Sequence, residues 1–401
     1  MPKMTDAMNR TLMLRRARLV LPDRIAENAS LLIEGGRIAR LLARDQSARA
    51  DETLDLEGLA LLPGFIDVHI HGAVGVDTTE ATAADLGRVA RFLVEHGVTA
   101  WLPTLVPAPD EDYRRAISAI HRLMTEQDER AAKGDVAARA LGVHYEGPFV
   151  NIAQCGALRT QYFRTYAERS DLDSLPTIGE PGAVHMTTVA PEIEGGIELV
   201  RELRRRRWVI AIGHTRADVC TLDRACEEGA HHMTHFMNAM APLHHRAPGP
   251  VGWGLLRDDV TCDVIADGVH LDPLMLRLVL KCKTAERLAL ISDAVAPAGL
   301  GDGNYRLWGE TITVQNGRTR NERGSIAGSV ISMSDAVRLM ISLGVPLVDV
   351  ARMAATNPAR LLGVEALYGA IEEGKRGDLV AIDGDGRVQL TIIGGRVAWR
   401  R

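Results

Sequence analysis

Apolar runs alternate with segments of helical period along most of the chain. Eight short runs, rich in strand-forming residues, predict β-strands. Between or after most of them, apolar residues recur every three or four positions, as in "AADLGRVARFLVEHG" and "GIELVRELRRRR", which predicts amphipathic helices. The predicted strands are residues 61–71, 100–106, 141–149, 184–192, 208–215, 231–239, 262–270 and 288–295.

This strand–helix alternation predicts an α/β protein built on a (β/α)8 barrel, because repeated parallel crossovers return their helices to one side of the sheet. A doubly wound open sheet is the alternative, but no G-x-G-x-x-G motif follows the first strand. Both ends of the chain instead predict short strands joined by Asp-Gly and Gly-Gly turns. We therefore expect a barrel over residues 62–374 and a small β-sandwich domain formed by residues 1–61 and 375–401.

Composition narrows the class of protein. With 401 residues, 46% of them hydrophobic and 25% charged, the chain is typical of a soluble globular enzyme. The net charge of -5 provides no basic face for nucleic acid. No stretch approaches the roughly 18 apolar residues of a membrane span, and the N-terminus has no signal-peptide core. The five cysteines are scattered without a C-x-x-C motif, which favours reduced thiols and a cytoplasmic location.

Ligand-type side chains end several of the predicted strands, which is where a barrel of this kind carries its chemistry. His69 and His71 end the first strand, and alternate residues of a strand point the same way, so both imidazoles can reach one ion. The coincidence over several strands favours one shared site. The other members are Glu146 on strand three, His214 on strand five, His235 on strand six, Asp267 and His270 on strand seven, and Asp293 on strand eight.

The other histidines considered are interpreted as structural. A histidine without ligand-type neighbours is most often a hydrogen-bonded core or surface residue. These histidines are His96 and His121 in predicted helices, and His144, His185, His231 and His232 in predicted strands.

The chemistry follows from the residue types. Neutral imidazoles and carboxylates bind Zn²⁺ or Fe²⁺ well, and an open coordination position lowers the pKa of a bound water towards about 7. Asp293, on the last strand, can take a proton from that water and pass it to a leaving amine. The alternative is that Asp293 caps a helix. A purely structural zinc site is disfavoured, because such sites are rich in cysteine and none of these positions is cysteine.

Read together, these residues resemble the amidohydrolase superfamily, and more narrowly the N-acetylglucosamine-6-phosphate deacetylases. The H-x-H motif is evidence at superfamily level only. The combination of "EGPF", "NAMAPLHHRAPG", "ADGVH" and "SDAVAPAG" is specific to the deacetylase branch, and with "ATNPARLLG" and "GKRGDLVAID" the motifs cover most of the chain in order. The resemblance implies metal-dependent hydrolysis of the acetamide of N-acetylglucosamine 6-phosphate to glucosamine 6-phosphate and acetate, with Asp293 as general base and acid.

The resemblance also implies a ligand set. Glu146, His214 and His235 are the principal metal ligands of the family pattern, and members with an intact H-x-H, here His69 and His71, can hold a second ion with Glu146 as the bridge. We therefore expect one or two divalent ions, Zn²⁺ first and Fe²⁺ second. Many two-metal amidohydrolases bridge with a modified lysine at the end of strand four, but "VHMTTVAPE" contains none. No lysine of this chain ends a predicted strand, which excludes a lysine bridge on this assignment.

Substrate contacts are implied in the same way. His270 is expected to contact the substrate, as is Ala157 in the "GA" motif. Asn238 and Ala239 are expected to meet the sugar phosphate, partly through backbone N–H groups. Arg246 resembles the family arginine that reaches the phosphate bound by the neighbouring subunit, which implies a homodimer. A solvated loop arginine is the alternative.

One segment departs from the family pattern. After "EGPFVN" the family usually continues to "GA" followed by His or Gln, whereas this chain has Gly156, Ala157, Leu158 and Arg159. Leu158 cannot donate a hydrogen bond and makes that wall more apolar. Two alternatives therefore stay open. One is a deacylase of a related N-acyl amino sugar or its phosphate, such as N-acetylgalactosamine 6-phosphate, and the other is a non-catalytic amidohydrolase-like binding protein.

Overall fold

The computed structural model describes residues 10–43, 46 and 48–401. The other positions of the predicted terminal domain, residues 1–9, 44, 45 and 47, lie outside the described residues. Among the helices of the described part, none combines the length and the apolar character needed to cross a membrane.

Strands dominate both ends of the chain and alternate with helices between them. The strands are β1 (Thr11–Val20), β2 (Ile25–Glu34), β3 (Arg37–Leu42), β4 (Glu52–Asp55), β5 (Ala60–Pro63), β6 (Phe65–Ile70), β7 (Gly72–Ala73), β8 (Val76–Asp77), β9 (Val98–Leu105), β10 (Arg139–Ala140), β11 (Gly142–Glu146), β12 (Val184–Val189), β13 (Val209–Ile212), β14 (His232–Met233), β15 (Thr261–Ile265), β16 (Leu288–Ile291), β17 (Gly303–Leu307), β18 (Glu310–Gln315), β19 (Arg318–Arg320), β20 (Leu379–Ile382), β21 (Val388–Ile393) and β22 (Arg396–Arg400). The α-helices are α1 (Ala83–Glu95), α2 (Asp110–Ala132), α3 (Gly196–Arg205), α4 (Val219–Glu227), α5 (Gly249–Leu256), α6 (Pro273–Lys283), α7 (Met333–Ser342), α8 (Leu347–Ala351) and α9 (Asn357–Leu361).

Parallel strands form the barrel, in the order β6, β9, β11, β12, β13, β14, β15 and β16. Hydrogen bonds bridge the first and last of them. The Asp293 amide donates to the His69 carbonyl at 2.9 Å, and the Ser292 hydroxyl donates to the buried Asp67 carboxyl at 2.5 Å. Each predicted strand overlaps one of these observed strands, although β9 and β15 begin two residues and one residue earlier than predicted, so the prediction of a (β/α)8 barrel is confirmed.

The two ends of the chain form a sheet of their own. Strand β20, near the C-terminus, pairs with β5 on one side and β21 on the other, so strands from both ends are neighbours. Leu14, Leu31 and Ile392 are buried in a core that belongs to this sheet. The predicted β-sandwich domain built from both termini is confirmed, and its exact boundaries stay a prediction.

Local sequence signals fix where two helices of the barrel begin. At α1, the Thr82 hydroxyl accepts a hydrogen bond from the Asp85 amide, and the Asp85 carboxylate accepts one from the Thr82 amide. Ser332 and Asp335 form the same capping box at α7. These caps satisfy amide groups that would otherwise lack partners, so each helix has a defined start after its strand and loop.

Two segments depart from regular alternation. After β11, residues 147–183 contain short 3₁₀ turns and no α-helix, and after β16 the chain forms a three-stranded antiparallel sheet, β17–β19, which we did not predict. Both segments follow the carboxyl ends of barrel strands. They therefore lie at the rim where the predicted ligands are found.

Gly213, just after β13, lies very close to the neighbouring strands. An added β-carbon would lie 2.4 Å from Thr234 Cγ2 and 2.7 Å from Thr188 Cγ2, and both branched side chains are buried. We expect Gly213→Ala to lower the free energy of unfolding by about 1–3 kcal/mol, measured by urea denaturation. Gly384→Ala is the control, because nothing lies within 4 Å of its added β-carbon. Equal stability of the two variants would contradict the close-packing argument.

Candidate metal centre

Six ligand-type side chains converge at one rim of the barrel. They come together because the carboxyl ends of parallel strands meet at the same end of a closed sheet. All six are at least nine-tenths buried. They are His69 in β6, His71 just after it, Glu146 at the end of β11, His214 after β13, His235 after β14 and Asp293 after β16.

The carboxylate of Glu146 is the centre of this group. His214 Nε2 and His235 Nε2 each lie 2.9 Å from its Oε1 atom. His71 Nε2 lies 3.2 Å from Oε2, and His69 Nε2 lies 3.7 Å from Oε1. The Nε2 atoms also lie close to one another, at 3.1 Å for the pair His69 and His71 and 3.1 Å for the pair His214 and His235.

The opposite ring nitrogens of three of these histidines face backbone carbonyl oxygens. A carbonyl oxygen only accepts hydrogen bonds, so in the neutral ring the proton sits on Nδ1 and the Nε2 lone pair points at Glu146. The contacts are His71 Nδ1 to Thr104 O at 3.3 Å, His214 Nδ1 to Gln154 O at 2.8 Å and His235 Nδ1 to Asn238 O at 3.2 Å.

Lone pairs facing a carboxylate at these distances repel unless positive charge lies between them, so the donor set fits a cation. Two groups of three ligand atoms each lie within 4.8 Å of one another, and Glu146 belongs to both. One group adds His69 and His71, and the other adds His214 and His235. The nitrogen and oxygen donors suit a divalent ion such as Zn²⁺ or Fe²⁺, with Glu146 able to bridge two ions.

Protonation of the imidazoles can also supply positive charge beside Glu146. Burial lowers the pKa of His71, but hydrogen bonds to Asp293 and Glu146 outweigh it and raise the pKa to about 10. Burial is likewise outweighed at His235 by Glu146, which raises the pKa to about 9. Burial raises the pKa of Glu146, but the surrounding imidazoles hold it well below its usual value. The pKa of His69 is lowered by burial.

Asp263, an aspartate inside the apolar strand β15, supports the cluster from below. Its carboxylate accepts a hydrogen bond from the His235 amide and lies 3.0 Å from His232 Nε2. It also accepts a bond from the Thr234 hydroxyl at 3.4 Å. With its proton directed to Asp263, the Thr234 hydroxyl can accept from His69 Nδ1 at 3.0 Å, which leaves the His69 Nε2 lone pair facing Glu146.

Asp293 lies beside the first-strand histidines. Its Oδ1 atom is 3.2 Å from His71 Nε2 and 3.5 Å from His69 Nε2. No helix begins directly after Asp293, because the next helix within the described residues is α7, which Ser332 caps. The helix-cap alternative for Asp293 is therefore wrong.

The backbone at three of these positions is strained. The φ values of His214, His235 and Asp293 are 46°, 29° and 48°. They lie in the left-handed region, which residues other than glycine rarely adopt. Such conformations persist only where the surrounding structure imposes them, and they are concentrated at functional sites. Here each one turns a side chain inward from just beyond the end of a strand.

A cavity of about 320 Å³ opens above the cluster. Among the predicted substrate contacts, Ala157, Asn238, Ala239 and His270 line it. The His270 Nδ1 atom bonds to the Asp267 carboxylate at 2.7 Å. In the neutral ring that bond leaves His270 Nε2 as an acceptor. The lining residues are His71, Glu146, Gly156, Ala157, Leu158, His214, His235, Asn238, Ala239, His270, Asp293, Trp308, Ser325, Ile326 and Gly328.

Arg246 and Arg159 do not line this cavity. Arg246 is exposed, and its guanidinium lies 2.7 Å from His245 Nε2. The Arg159 guanidinium stacks over the Tyr162 ring at 4.9 Å, outside the lining of the cavity. Leu158 does line the cavity and is 3% exposed.

Comparison with known proteins assigns the chain to a family. The amidohydrolase family model matches residues 60–398. The chain belongs to the amidohydrolase family. It is 32% identical to the N-acetylglucosamine-6-phosphate deacetylase of Bacillus subtilis (strain 168), over 98% of both chains. It is 34% identical to the N-acetylgalactosamine-6-phosphate deacetylase of Escherichia coli O157:H7, over 97% of this chain and 99% of the relative.

The similarity extends to three dimensions. This amidohydrolase matches the structure of a mutant N-acetyl-D-glucosamine-6-phosphate deacetylase from Mycobacterium smegmatis in complex with N-acetyl-D-glucosamine-6-phosphate. The match has a TM-score of 0.86 and 32% sequence identity, and it covers 97% of this chain and 99% of the other. The family resemblance predicted from the motifs is therefore confirmed.

Sequence reasoning missed several residues of this amidohydrolase site. Trp308, Ser325 and Ile326 line the cavity but come from the segment after β16, whose strands we did not predict. The Trp308 indole donates to Asp77 at 2.8 Å and lies edge-on to His71. The available signal was the alternation of apolar and polar residues at positions 305–307 and 311–314, on either side of this tryptophan.

Asp263 generates a prediction about metal affinity. We expect Asp263→Asn to weaken binding of Zn²⁺ by roughly 10- to 100-fold, because the hydrogen bonds that orient His69 and His235 lose their charged acceptor. A competition titration against a chelator measures this directly. Asp385→Asn is the control, since the Asp385 side chain is 68% exposed between β20 and β21, away from both groups of ligand-type residues. Unchanged affinity in Asp263→Asn would show that Asp263 does not orient the ligands.

Proposed function

We propose that this amidohydrolase removes the acetyl group of N-acetylglucosamine 6-phosphate, giving glucosamine 6-phosphate and acetate. The observation that carries the proposal is the convergence of His69, His71, Glu146, His214 and His235 around one point, with an acid/base group beside them. Full-length similarity to deacetylases of N-acetylhexosamine 6-phosphates supports the substrate class.

The five-residue cluster is proposed to hold one or two divalent ions, with Zn²⁺ the first choice and Fe²⁺ the second. A cation bound there would polarise the amide carbonyl and lower the pKa of an attacking water. The protein supplies the arrangement. The Nδ1 contacts fix the ring orientations, and burial excludes bulk water from the ligands.

Asp293 is proposed to carry the proton through the reaction. Its carboxylate lies 3.2 Å from His71 Nε2, so a water held among the ligands lies within its reach. Asp293 takes a proton as that water attacks the amide carbon. The protonated carboxyl then donates the same proton to the sugar nitrogen as the amide C–N bond breaks. The sugar leaves as an amine, and Asp293 is a carboxylate again.

The remaining contacts are proposed to hold the sugar. His270, oriented by Asp267, and Ala157 would meet the substrate above the cluster, and Asn238 with Ala239 would meet the phosphate. Arg246 would serve the active site of a second copy in a homodimer. Its exposure and its position outside the cavity of its own chain are consistent with that role.

A cytoplasmic location belongs to the same proposal. All five cysteines are free, as expected in a reducing compartment. A sugar phosphate is charged and does not cross membranes unaided. We therefore expect its deacetylation in the compartment where it is made or imported.

Leu158 supports a second candidate substrate, N-acetylgalactosamine 6-phosphate. This buried side chain replaces the hydrogen-bonding residue usual in the N-acetylglucosamine-specific pattern, and one full-length relative is named for the galactosamine epimer. The two candidates share the cleaved bond and differ at one hydroxyl.

Asp293→Asn tests the mechanism. The amide cannot accept a proton at neutral pH, so kcat should fall by about 10²- to 10⁴-fold while the bound metal, measured by elemental analysis, is retained. Wild-type turnover in this variant would remove Asp293 from the proposed role. Loss of metal together with activity would assign Asp293 to metal binding.

A substrate panel tests the proposed specificity. We expect kcat/KM for the 6-phosphates to exceed that for the unphosphorylated N-acetyl sugars by roughly tenfold to a hundredfold, as loss of charged hydrogen bonds predicts.

Arg246→Ala should reduce this advantage and leave the unphosphorylated sugars unaffected. Leu158→His should shift the ratio between the two epimers. Equal rates with and without phosphate would contradict the assignment.

A further inference from the structure

A second group of metal-type side chains lies at the other end of the barrel. Cys226 is in α4, His231 immediately precedes β14, and Asp259 precedes β15. The proposed catalytic ligands lie at or just after the carboxyl ends of the strands, whereas this group lies before the amino ends of β14 and β15. The two groups therefore share no residue and face opposite rims.

The three donor atoms are spaced as metal ligands are. Cys226 Sγ lies 3.3 Å from His231 Nδ1 and 3.5 Å from Asp259 Oδ2, and all three atoms lie within 4.8 Å of one another. Zn–S and Zn–N bonds of about 2.3 and 2.0 Å in a tetrahedron place sulfur and nitrogen about 3.5 Å apart. The thiol, imidazole and carboxylate thus already stand near the separations that a bound ion requires.

We propose that Cys226, His231 and Asp259 form a second metal site for a thiophilic divalent ion such as Zn²⁺ or Cd²⁺, with the fourth position open to water. A buried sulfur ligand with two exposed partners leaves the ion an approach from solvent. This site is independent of the proposed deacetylase activity, because it uses none of the residues assigned to that reaction.

Binding requires a proton to leave. Burial, reinforced by the charge of Asp259, raises the pKa of the Cys226 thiol to about 11. The thiol is therefore protonated at neutral pH. As the sulfur–metal bond forms, the S–H bond breaks and the proton passes to solvent.

Arg257 competes with the ion for Asp259. Its guanidinium donates to both Asp259 oxygens, at 2.8 and 2.7 Å, and to Cys226 Sγ at 3.5 Å. The same guanidinium also donates to Asp223 at 2.8 Å and stacks over Trp253 at 5.3 Å. It can therefore release Asp259 and keep two other partners when a divalent ion binds.

Titration of the purified protein with Cd²⁺, followed by the ultraviolet sulfur-to-cadmium charge-transfer band, tests the site. The Glu146 cluster offers only nitrogen and oxygen, so ions bound there give no such band. We expect the amplitude of the band at saturation to correspond to one sulfur-bound Cd²⁺ per chain in the wild type, counted apart from the ions in the Glu146 cluster. Cys226→Ser should abolish it, and His231→Gln, at an exposed position, should weaken affinity at least about tenfold.

Cys220→Ser is the matched control, because Cys220 is an exposed cysteine of the same helix. It should bind Cd²⁺ as the wild type does, and Arg257→Gln should bind more tightly because the competing charge is removed. A wild type without the band, or a band that persists in Cys226→Ser, would overturn the proposal. Unchanged Cd²⁺ affinity in His231→Gln, or loss of the band in Cys220→Ser, would also overturn the proposal. Unchanged Cd²⁺ affinity in Arg257→Gln would overturn the argument that Arg257 competes with the ion.

Discussion

The arrangement of this site depends on one buried carboxylate. Glu146 has four imidazole nitrogens within 3.7 Å, and in three of the rings the other nitrogen is committed to a backbone carbonyl. A carboxylate so enclosed is stable only when positive charge accompanies it, because the surrounding protein screens charge poorly. The need for positive charge at this point, from a bound cation or from protonated imidazoles, is therefore a property of the folded protein. Barrel closure supplies the geometry, since the bonds that join β6 to β16 also set His69 beside Asp293.

The site divides into a rigid base and a more variable cover. The ligands sit at strand ends, where neighbouring strands fix the backbone, and strained φ values at His214 and His235 show how tightly they are held. The two segments that depart from regular alternation, which carry Leu158 and Trp308, form much of the cavity wall, and the loops after β14 and β15 complete it. Substitutions in the cover can alter which acyl sugar fits without moving the ligands, as expected for barrel enzymes.

The sequence predicted the base of the site better than its cover. Strand periodicity and residue type were enough to find the barrel and to bring Glu146 and the histidines together, because closure of a parallel sheet leaves them little freedom. Trp308 and Ile326 were missed because their segment is placed by tertiary packing rather than by local pattern. Asp263 was missed although a charged residue within an apolar strand was a visible signal. The identity of the metal could not be predicted because the same nitrogen and oxygen ligands suit Zn²⁺ and Fe²⁺. The number of subunits could not be predicted because it depends on contacts with other chains.

The terminal sheet has a consequence for how the protein is made. Strand β5 leads directly into the barrel, but its partner β20 is synthesised only after nearly all of the barrel. Strands β1 to β5 therefore emerge from the ribosome with one edge of β5 unpaired while the barrel is synthesised. An unpaired edge can pair with the strands of other chains. Pairing with β20 covers that edge, so protection of β5 against such pairing arrives only after the barrel has been synthesised.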